Sequence, residues 1–393
     1  MNVRELAKEQ EQYVIECRHH LHAHPELGTE EVKTTEFIKA ELEKAGIAVQ
    51  TFDGITGCIG TIEGGKPGKT VMLRADIDAL PITEEPGKSY CSVTPGVMHA
   101  CGHDCHTAML LGAAKILAAH KAELCGTVRL IFQMAEELGR KSEEYVKRGA
   151  LEGVDAIFGM HVRALMDAGT VNFEAGERMA CSDRFTIRVR GKLTHGSAPH
   201  LGHDAILAAA AAVQALQQIP SRVNNPFNSL VVTVGMMNGG TKENIVADDV
   251  ELVGTVRAFN KELRDSMPKR IEKAVKGVVE SYNCTAEFDY YFGPSPLINE
   301  DKTLVELAQG AAGKIMGESA LKPLTKLTGA EDFSVFMEKV PGVYGFLGCR
   351  NREKGIDCVH HHPAFDVDEE VLYLGAGIYA QFAFDYLQAE SKM

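Results

Sequence analysis

Residues 98–107 read Met-His-Ala-Cys-Gly-His-Asp-Cys-His-Thr, which places three histidines, two thiols and one carboxylate within ten positions. An apolar helical pattern follows directly. Cys101 and His103 stand two apart, and in extended backbone such side chains leave the same face, so that both can reach one ion. The N-terminus of the following helix favours negative charge, and we expect it to help hold Cys101 as a thiolate. We therefore predict a metal site. The alternative is an ordinary polar helix entry, capped by Asp104 or Thr107.

Composition places the chain among ordinary globular proteins. Its 393 residues predict two domains. The apolar and charged fractions are 45% and 24%, and the net charge of -13 argues against nucleic acid or an anionic membrane as a partner. We find no apolar run long enough to cross a membrane and no signal peptide. The ten cysteines are scattered, which favours reduced thiols and a cytoplasmic protein.

Strand-like and helical segments alternate through the first half of the chain. We predict strands at 58–62, 71–75, 127–133 and 154–160, and helices at 3–24, 34–46 and 104–120. This alternation is typical of an α/β fold, in which helices cover a mostly parallel sheet. In such sheets, functional groups gather at the carboxyl ends of the strands.

Charged side chains follow several of these strands, and we expect them to meet at one rim of the sheet: Asp76, Asp78, Glu136, Glu137 and His161. Acidic residues after a strand usually cap a helix or a turn. Beside a metal cluster, we expect one of the two aspartates to orient a metal ligand. The adjacent glutamates point apart, so that one can bind metal while the other faces substrate and water. A divalent ion lowers the pKa of water, and a nearby glutamate can take its proton.

The donor types narrow the choice of metal only in part. Thiolate and imidazole suit zinc, whereas several carboxylates also admit manganese, cobalt or nickel. Further histidines lie between His19 and His24, but Pro25 and Gly28 mark a helix stop and a turn there. Histidines at a helix end favour the negative end of the helix dipole. We therefore do not expect these histidines to bind metal directly.

The second half of the chain begins with a different pattern. Its predicted order is strand, helix, strand, strand, helix and strand, which is the split βαβ order of ferredoxin-like domains. We predict that residues 182–293 form an inserted domain. Residues 1–181 and 294–393 would then form one discontinuous, metal-binding catalytic domain.

Nine motifs are distributed over nearly the whole chain: HHLHAHPELG (19–28), LRADIDALP (73–81), MHACGHDCHT (98–107), FQMAEE (132–137), GMHV (159–162), GKLTHGSAPHLGHD (191–204), NIVADDVELVGTVRAF (244–259), GAEDFS (329–334) and HHPAFDVDEE (361–370). Together they resemble the dinuclear-metal amidohydrolases and exopeptidases that include aminoacylase. The resemblance is closest to the branch with indole-3-acetyl-amino-acid hydrolases and N-acetyldiaminopimelate deacetylases. Its inserted domain is a ferredoxin-like dimerisation lid. Met134 and Ala247 replace prolines that are usual in this branch, without removing a chemical group.

The resemblance implies two divalent ions, most simply zinc or manganese, with cobalt or nickel as alternatives. It makes five side chains metal ligands: Cys101, His103, Glu137, His161 and His361. The last is chosen because the family's ligand lies two residues before the proline. The neighbouring His362 is the alternative.

The resemblance also implies catalytic and binding roles. Glu136 would be the general base and acid, and Asp78 is counted with the catalytic residues as a support for the ligands. His195 would stabilise the oxyanion, typically reaching the partner subunit's site across a dimer. Asn244 and Arg257 would hold the substrate carboxylate. Without the resemblance, His195 would be interpreted as a solvated loop histidine, Asn244 as a turn amide and Arg257 as a surface cation.

The implied activity is hydrolysis of the amide bond of an N-acyl amino acid, releasing a free amino acid and a carboxylic acid. A metallo-carboxypeptidase or dipeptidase acting on small peptides is the alternative. We expect a cytoplasmic homodimer or higher homo-oligomer. Two other classes stay open from the residues alone. One is a thiol hydrolase with Cys101 as nucleophile and His103 or His106 as base. The other is a non-catalytic metal-binding protein on the same fold.

Overall fold

The structure is a computed structural model that describes residues 2–390, without the side chain of Glu390. The chain divides into two compact units. The first unit comprises the chain through Gly176, the segment Asn299–Thr325 and the chain from Val335 onward. The second unit comprises Glu177–Ile298 and the short segment Lys326–Ser334. In residues 2–390, no helix is both long and apolar enough to cross a membrane.

The described residues form ten α-helices, numbered in chain order: α1 (Val3–Glu9), α2 (Glu11–Ala23), α3 (Val32–Lys44), α4 (His103–Ala119), α5 (Ser142–Lys147), α6 (Ala205–Gln218), α7 (Lys261–Val279), α8 (Lys302–Met316), α9 (Phe333–Met337) and α10 (Leu372–Glu390). The predicted single helix at 3–24 is wrong, because the chain breaks at Gln10. The Gln10 N–H bonds to the Ala7 carbonyl three residues back, which tightens and ends α1.

The strands are also numbered in chain order: β1 (Ala48–Gln50), β2 (Cys58–Glu63), β3 (Lys66–Asp76), β4 (Cys125–Gln133), β5 (Ala156–Asp167), β6 (Val171–Asn172), β7 (Gly176–Met179), β8 (Asp183–Arg190), β9 (Thr194–His195), β10 (Leu230–Gly239), β11 (Ile245–Val246), β12 (Asp249–Ala258), β13 (Thr285–Tyr291), β14 (Leu297–Asn299) and β15 (Gly342–Arg350). All four strands predicted in the first half are present. β5 is longer than predicted and continues past His161.

The first unit is built on a seven-stranded sheet in the order β1-β2-β4-β3-β5-β15-β6. Its four central strands, β4, β3, β5 and β15, are parallel, and the outer pairings are antiparallel. β15 is buried along almost its whole length, as expected for a parallel strand covered on both faces. One continuous apolar core joins this sheet to α4 and α10. The predicted α/β class is confirmed.

The second unit contains a four-stranded antiparallel sheet in the order β10-β12-β8-β13. In chain order, β8 and α6 are followed by β10 and β12, then α7 and β13. This is the split βαβ arrangement predicted from the sequence. The unit has its own apolar core, to which the sheet, α6 and α7 contribute.

Three helices begin at a side-chain cap that the sequence supplies. Asp204 accepts hydrogen bonds from two backbone N–H groups at the start of α6, and Asp301 does the same for α8. Asn260 caps α7 in the same way. Such caps satisfy N–H groups that have no partner within the helix, and each stabilises its helix by about 1 kcal/mol.

Candidate metal centre

Gly102 is the residue that turns Cys101 and His103 toward each other. It precedes α4 with φ +90°, and a Cβ at this position would lie 2.4 Å from the Val162 Cγ2 atom. A side chain is therefore excluded both by backbone conformation and by space. The predicted pairing of the two donors is confirmed, but their backbone is not extended. A left-handed turn at Gly102 brings them together.

The adjacent glutamates follow β4 through another left-handed residue, Ala135, at φ +53°. The Ala135 N–H donates to the buried carboxylate of Glu31 at 2.8 Å, which holds this turn in place. The next contact is made by Glu137, whose N–H donates to Asp78 Oδ2 at 3.0 Å. The glutamate pair is thus fixed by two carboxylates from different parts of the chain.

Donors from four separate segments converge in the first unit. Cys101 Sγ lies 3.5 Å from His161 Nε2, and Glu137 Oε1 lies 3.1 Å from His361 Nε2. The ligand atoms form overlapping groups in which all atoms lie within 4.8 Å of one another: Cys101 with His103 and His161, Cys101 with Glu137 and His361, and His103 with Glu136 and Glu137. All five predicted ligands and the predicted base therefore lie together.

His161 was expected just after a strand, but it lies within β5. On one side, the pairing of β5 with β3 ends at Arg74 and Gly159, which leaves His161 beyond the last paired residue of β3. His161 Nδ1 lies 2.6 Å from the Val162 carbonyl oxygen, which can only accept. Nδ1 therefore carries the proton, and Nε2 keeps its lone pair toward Cys101.

Among the three consecutive histidines, His361 is the one that joins the cluster. It has φ +62°, an uncommon conformation that recurs at functional sites. Its N–H is anchored to the Ala100 carbonyl at 2.8 Å. His360 is turned elsewhere, since its Nε2 accepts from the Ala164 N–H, and His362 Nδ1 accepts from the Ala364 N–H. The geometry thus favours His361 over His362.

Asp78 fixes the orientation of the His103 imidazole. His103 Nδ1 donates to Asp78 Oδ1 at 3.0 Å, so Nε2 is the nitrogen left to face an ion. Neighbouring His106, for which the sequence suggested no role as a ligand, contacts Asp76 Oδ1 through Nδ1 and accepts from the Val162 N–H through Nε2. Both of its nitrogens are used, so His106 ties β5 to Asp76. Its position one helical turn after His103 was the available sequence signal.

The charges in the cluster favour a cation. Burial alone would raise the pKa of the Asp76 carboxyl, but the charges of Arg74 and His103 hold it well below its usual range. Burial lowers the pKa of His103, but the charge of Asp76 and the bond to Asp78 outweigh this and raise it well above its usual value. The carboxylates of Asp76 and Asp78 thus favour positive charge at His103.

The surroundings of Cys101 act on the pKa of its thiol. Burial raises the pKa of the Cys101 thiol well above its usual range, and the charge of Glu137 adds to this effect. Burial therefore opposes the thiolate that the helix N-terminus is expected to favour, and the thiolate stays a prediction. A positively charged partner, such as a metal ion, is needed to hold Cys101 as a thiolate.

The residues present fit a bound metal. His103 Nε2 is buried and has no hydrogen-bond partner among the described residues. A buried polar atom without a partner is costly, whereas the same atom is satisfied when it ligates an ion. Thiol, imidazole and carboxylate donors together suit a divalent metal ion.

The histidines at the end of α2 form a different network. His22 is fully buried between Asp104 and Glu84, at 2.8 Å and 3.0 Å. His19 contacts Glu369 at 2.7 Å, and His20 stacks on a phenylalanine. None of them belongs to a donor group formed by residues 2–390. That they do not bind metal stays a prediction.

The remaining predicted residues belong to the second unit. His195 lies on β9 and is exposed, with Nδ1 2.7 Å from Ser197 Oγ. β9 pairs with β11, and the Gly196 N–H donates to the Asn244 carbonyl, so His195 and Asn244 lie side by side. Arg257 lies on β12, opposite Val231 of β10. Their roles stay predictions.

An α/β unit with this donor cluster at the ends of its strands defines a metal-binding hydrolase-type site, and comparison with known proteins identifies the family. The sequence profile described as Peptidase family M20/M25/M40 matches residues 72–385. An N-acetyl-L-cysteine deacetylase of Bacillus subtilis is 40% identical, covering 92% of this chain and 85% of that protein. An IAA-amino acid hydrolase of Arabidopsis thaliana (ILR1-like 4) is 39% identical, covering 95% and 86%.

Two further relatives extend this range. Thermostable carboxypeptidase 2 of Saccharolobus solfataricus is 38% identical, covering 96% of both chains. The crystal structure of a Bacillus subtilis protein described as a dinuclear metal binding peptidase from the M20 family has a TM-score of 0.86 and 35% identity, covering 97% of this chain and 99% of that chain. The chain therefore belongs to peptidase family M20/M25/M40. It is an enzyme of the class that hydrolyses amide bonds.

Proposed function

We propose that this chain is a metal-dependent amidohydrolase that cleaves N-acyl amino acids, releasing a free amino acid and a carboxylic acid. The observation that carries the proposal is the convergence of Cys101, His103, Glu137, His161 and His361 with Glu136 beside them. The relatives named as deacetylase and amino acid hydrolase support the substrate class.

In this proposal the five ligand side chains hold two divalent ions, with zinc or manganese as the expected metals. When bound, the ions lower the pKa of water and polarise the acyl carbonyl. Glu136 takes the proton from the attacking water and delivers it to the leaving amine. Asp78 supports both His103 and the backbone of Glu137. His195 supplies a hydrogen bond to the oxyanion, and Asn244 and Arg257 hold the substrate carboxylate.

We further propose that residues 182–293 act as an inserted dimerisation lid. Strand β10 lies at an edge of its sheet and exposes apolar side chains, and α6 does the same: Val231, Met236, Met237, Ile206 and Leu207 are each more than two fifths exposed. An apolar edge of this kind is suited to pairing with a second copy.

The double variant Met237→Glu with Leu207→Glu should therefore be monomeric in sedimentation velocity. Val32→Glu, an equally exposed site in the first unit, should not.

Mixing two inactive variants tests whether His195 acts on its partner subunit. Each mixed dimer pairs one His195→Ala subunit with one Glu136→Gln subunit. If His195 acts on the partner's site, one active site of this dimer carries both substitutions and the other carries neither. Activity that returns after subunit exchange supports action across the dimer. Mixtures that stay inactive despite proven exchange contradict it.

The decisive test of the proposed function compares the two adjacent glutamates. Glu136→Gln should lower kcat on N-acetyl amino acids by about 10²–10⁴-fold, because it removes the proton acceptor. Its metal content, measured by plasma mass spectrometry, should stay unchanged, whereas Glu137→Gln should lose metal. Near-normal turnover in metal-stripped enzyme or in Glu136→Gln would rule out this mechanism. A wild-type protein that binds metal but turns over no N-acyl amino acid with added manganese or zinc would instead be a non-catalytic metal-binding protein.

A carboxypeptidase or dipeptidase acting on small peptides is the second candidate, because one relative is named as a carboxypeptidase. Parallel assays on N-acetyl amino acids, dipeptides and N-blocked dipeptides separate the two activities.

A cytoplasmic location is also proposed, since all ten cysteines are unpaired. Quantifying the protein in cell fractions checks this.

A further inference from the structure

Arg163 is a cation without a carboxylate partner beside the candidate metal centre. It lies on β5 two residues after His161, and side chains two apart on a strand share a face. Among residues 2–390, it takes part in no ion pair, and its Nε atom is buried without a hydrogen-bond partner. A half-buried guanidinium in this state still has donors to offer.

The backbone around Arg163 is held in place on both sides. Arg163 pairs with Gly348 of β15, the neighbouring parallel strand. The next N–H, of Ala164, donates to His360 Nε2 at 3.0 Å, and the His360 ring packs edge-on against His161 with centroids 5.2 Å apart. The position of this cation relative to the cluster is therefore set by β5 and His360.

The charge of Arg163 acts on the side chains around it. Burial lowers the pKa of His360 to about 3, and the charge of Arg163 is the next cause. Burial likewise lowers the pKa of Arg163, while Cys101 opposes this shift. Arg163 therefore interacts electrostatically with both His360 and Cys101.

A second arginine on the same sheet shows the ordinary arrangement. Arg350 of β15 is paired with Asp167, which lies on β5 on the same face as His161 and Arg163, with Nη2 2.7 Å from Oδ1. The carboxylate on this face of β5 is therefore already taken. Arg350 thus pairs with a carboxylate, whereas Arg163 pairs with none among residues 2–390.

We propose that Arg163 is a specificity residue that binds a second anionic group on the substrate, so that the preferred N-acyl amino acids carry a carboxylate besides the α-carboxylate. The guanidinium fork suits a carboxylate bidentately. This inference rests on the proposed function and names a subclass of its substrates. The second carboxylate belongs either to the acyl group or to the amino acid side chain, and the two arms of the test distinguish these sources.

The test measures ratios of kcat/KM for isosteric pairs on the metal-loaded enzyme. N-succinyl-L-alanine is compared with its terminal amide, and N-acetyl-L-glutamate with N-acetyl-L-glutamine. We expect about tenfold or greater preference for the charged member of one pair, which is the worth of one charge-assisted hydrogen bond. Arg163→Met should bring that ratio close to one, and Arg163→Lys should restore part of it. Arg350→Met is the matched control and should leave the ratio unchanged.

Two results would overturn the proposal. In one, wild-type enzyme shows no preference in either pair. In the other, Arg163→Met lowers both members of a pair equally, which would mean that the arginine acts on Cys101 or on the fold. Binding of the same pairs to metal-loaded Glu136→Gln, measured by calorimetry, gives an answer that does not need turnover. Failure of all N-acyl amino acids as substrates would contradict the proposed function instead, while the binding ratio would still decide the role of Arg163.

Discussion

At the scale of single residues, the candidate centre depends on backbone conformations that side-chain chemistry does not announce. Gly102, Ala135 and His361 all have positive φ, and each stands directly beside or within the donor cluster. Such conformations are retained only where surrounding contacts impose them. At Ala135 that contact is the hydrogen bond to Glu31, and at His361 it is the anchor to Ala100.

Gly102→Ala should damage the centre through the backbone. The added Cβ would meet Val162 at 2.4 Å in a left-handed conformation, so we expect a loss of stability of about 1–3 kcal/mol and weaker metal binding. Gly277→Ala in α7 is the control, because a Cβ there meets nothing within 4 Å. It should be neutral or stabilise by up to about 1 kcal/mol. Urea unfolding with metal titration checks both. An unchanged Gly102→Ala protein would contradict the steric argument.

Glu84 makes stability depend on acid pH. Burial would raise the pKa of its carboxyl, but hydrogen bonds from His22 and from the Ser92 N–H lower it to about 2, from 4.5. A lowered folded-state pKa means stabilisation that is complete above pH 4.5 and is lost as the pH falls toward 2. Glu84→Gln should therefore destabilise the metal-free protein by about 1–3 kcal/mol at pH 7. The difference from wild type should shrink below pH 4. A constant difference between pH 7 and pH 3 would refute the assignment.

At the scale of elements, α7 is tied to both ends of the inserted segment by one buried arginine. Arg264 donates to Asp183 at the start of β8, to the Gly293 carbonyl and to Ser295 Oγ, all within 3.1 Å. Asp183 also accepts from Tyr290 and from the Gly293 N–H. Gly293 has no room for a side chain, since a Cβ would lie 1.9 Å from the Ser182 carbonyl oxygen.

Arg264→Met should destabilise the second unit strongly. It leaves the carboxylate of Asp183 buried without its cation, a loss of about 3–5 kcal/mol. Arg188→Met is the control, because the Arg188 pair with Glu251 is exposed and should matter by less than about 1 kcal/mol. Chemical denaturation of both variants decides the matter, and equal stability for the two would show that the buried pair is not needed.

At the scale of the whole molecule, all five proposed ligands belong to the first unit. They are nevertheless far apart in sequence, from Cys101 to His361. Ion binding should therefore stabilise the first unit selectively. At a hundred times Kd, one bound ion adds about 2.7 kcal/mol. We expect slower hydrogen exchange in β3, β4, β5 and α4 on adding zinc or manganese, and little change in β8, β12 and α7. Glu137→Ala should abolish the difference. Equal protection of both units would refute this separation.

Much of the architecture follows from local patterns. The apolar run after residue 107 predicts α4 almost to the residue, and Asp204 and Asn260 mark the starts of two helices. The alternating order of elements suffices for the parallel sheet and for the second unit's topology. Local periodicity carries this information because strands and helices bury one face each.

Sequence alone determined the chemistry available here: a dense set of thiol, imidazole and carboxylate donors, placed mainly where strands end. Tertiary structure decided which of them share a site. It brought His361 rather than its neighbours into the donor group, used both nitrogens of His106 for support, raised the pKa of the Cys101 thiol by burial and, among residues 2–390, left Arg163 without an acid. The physical reason is that burial, charge and lone-pair direction depend on groups distant in the chain, whereas sequence patterns report mainly on neighbours within a few residues.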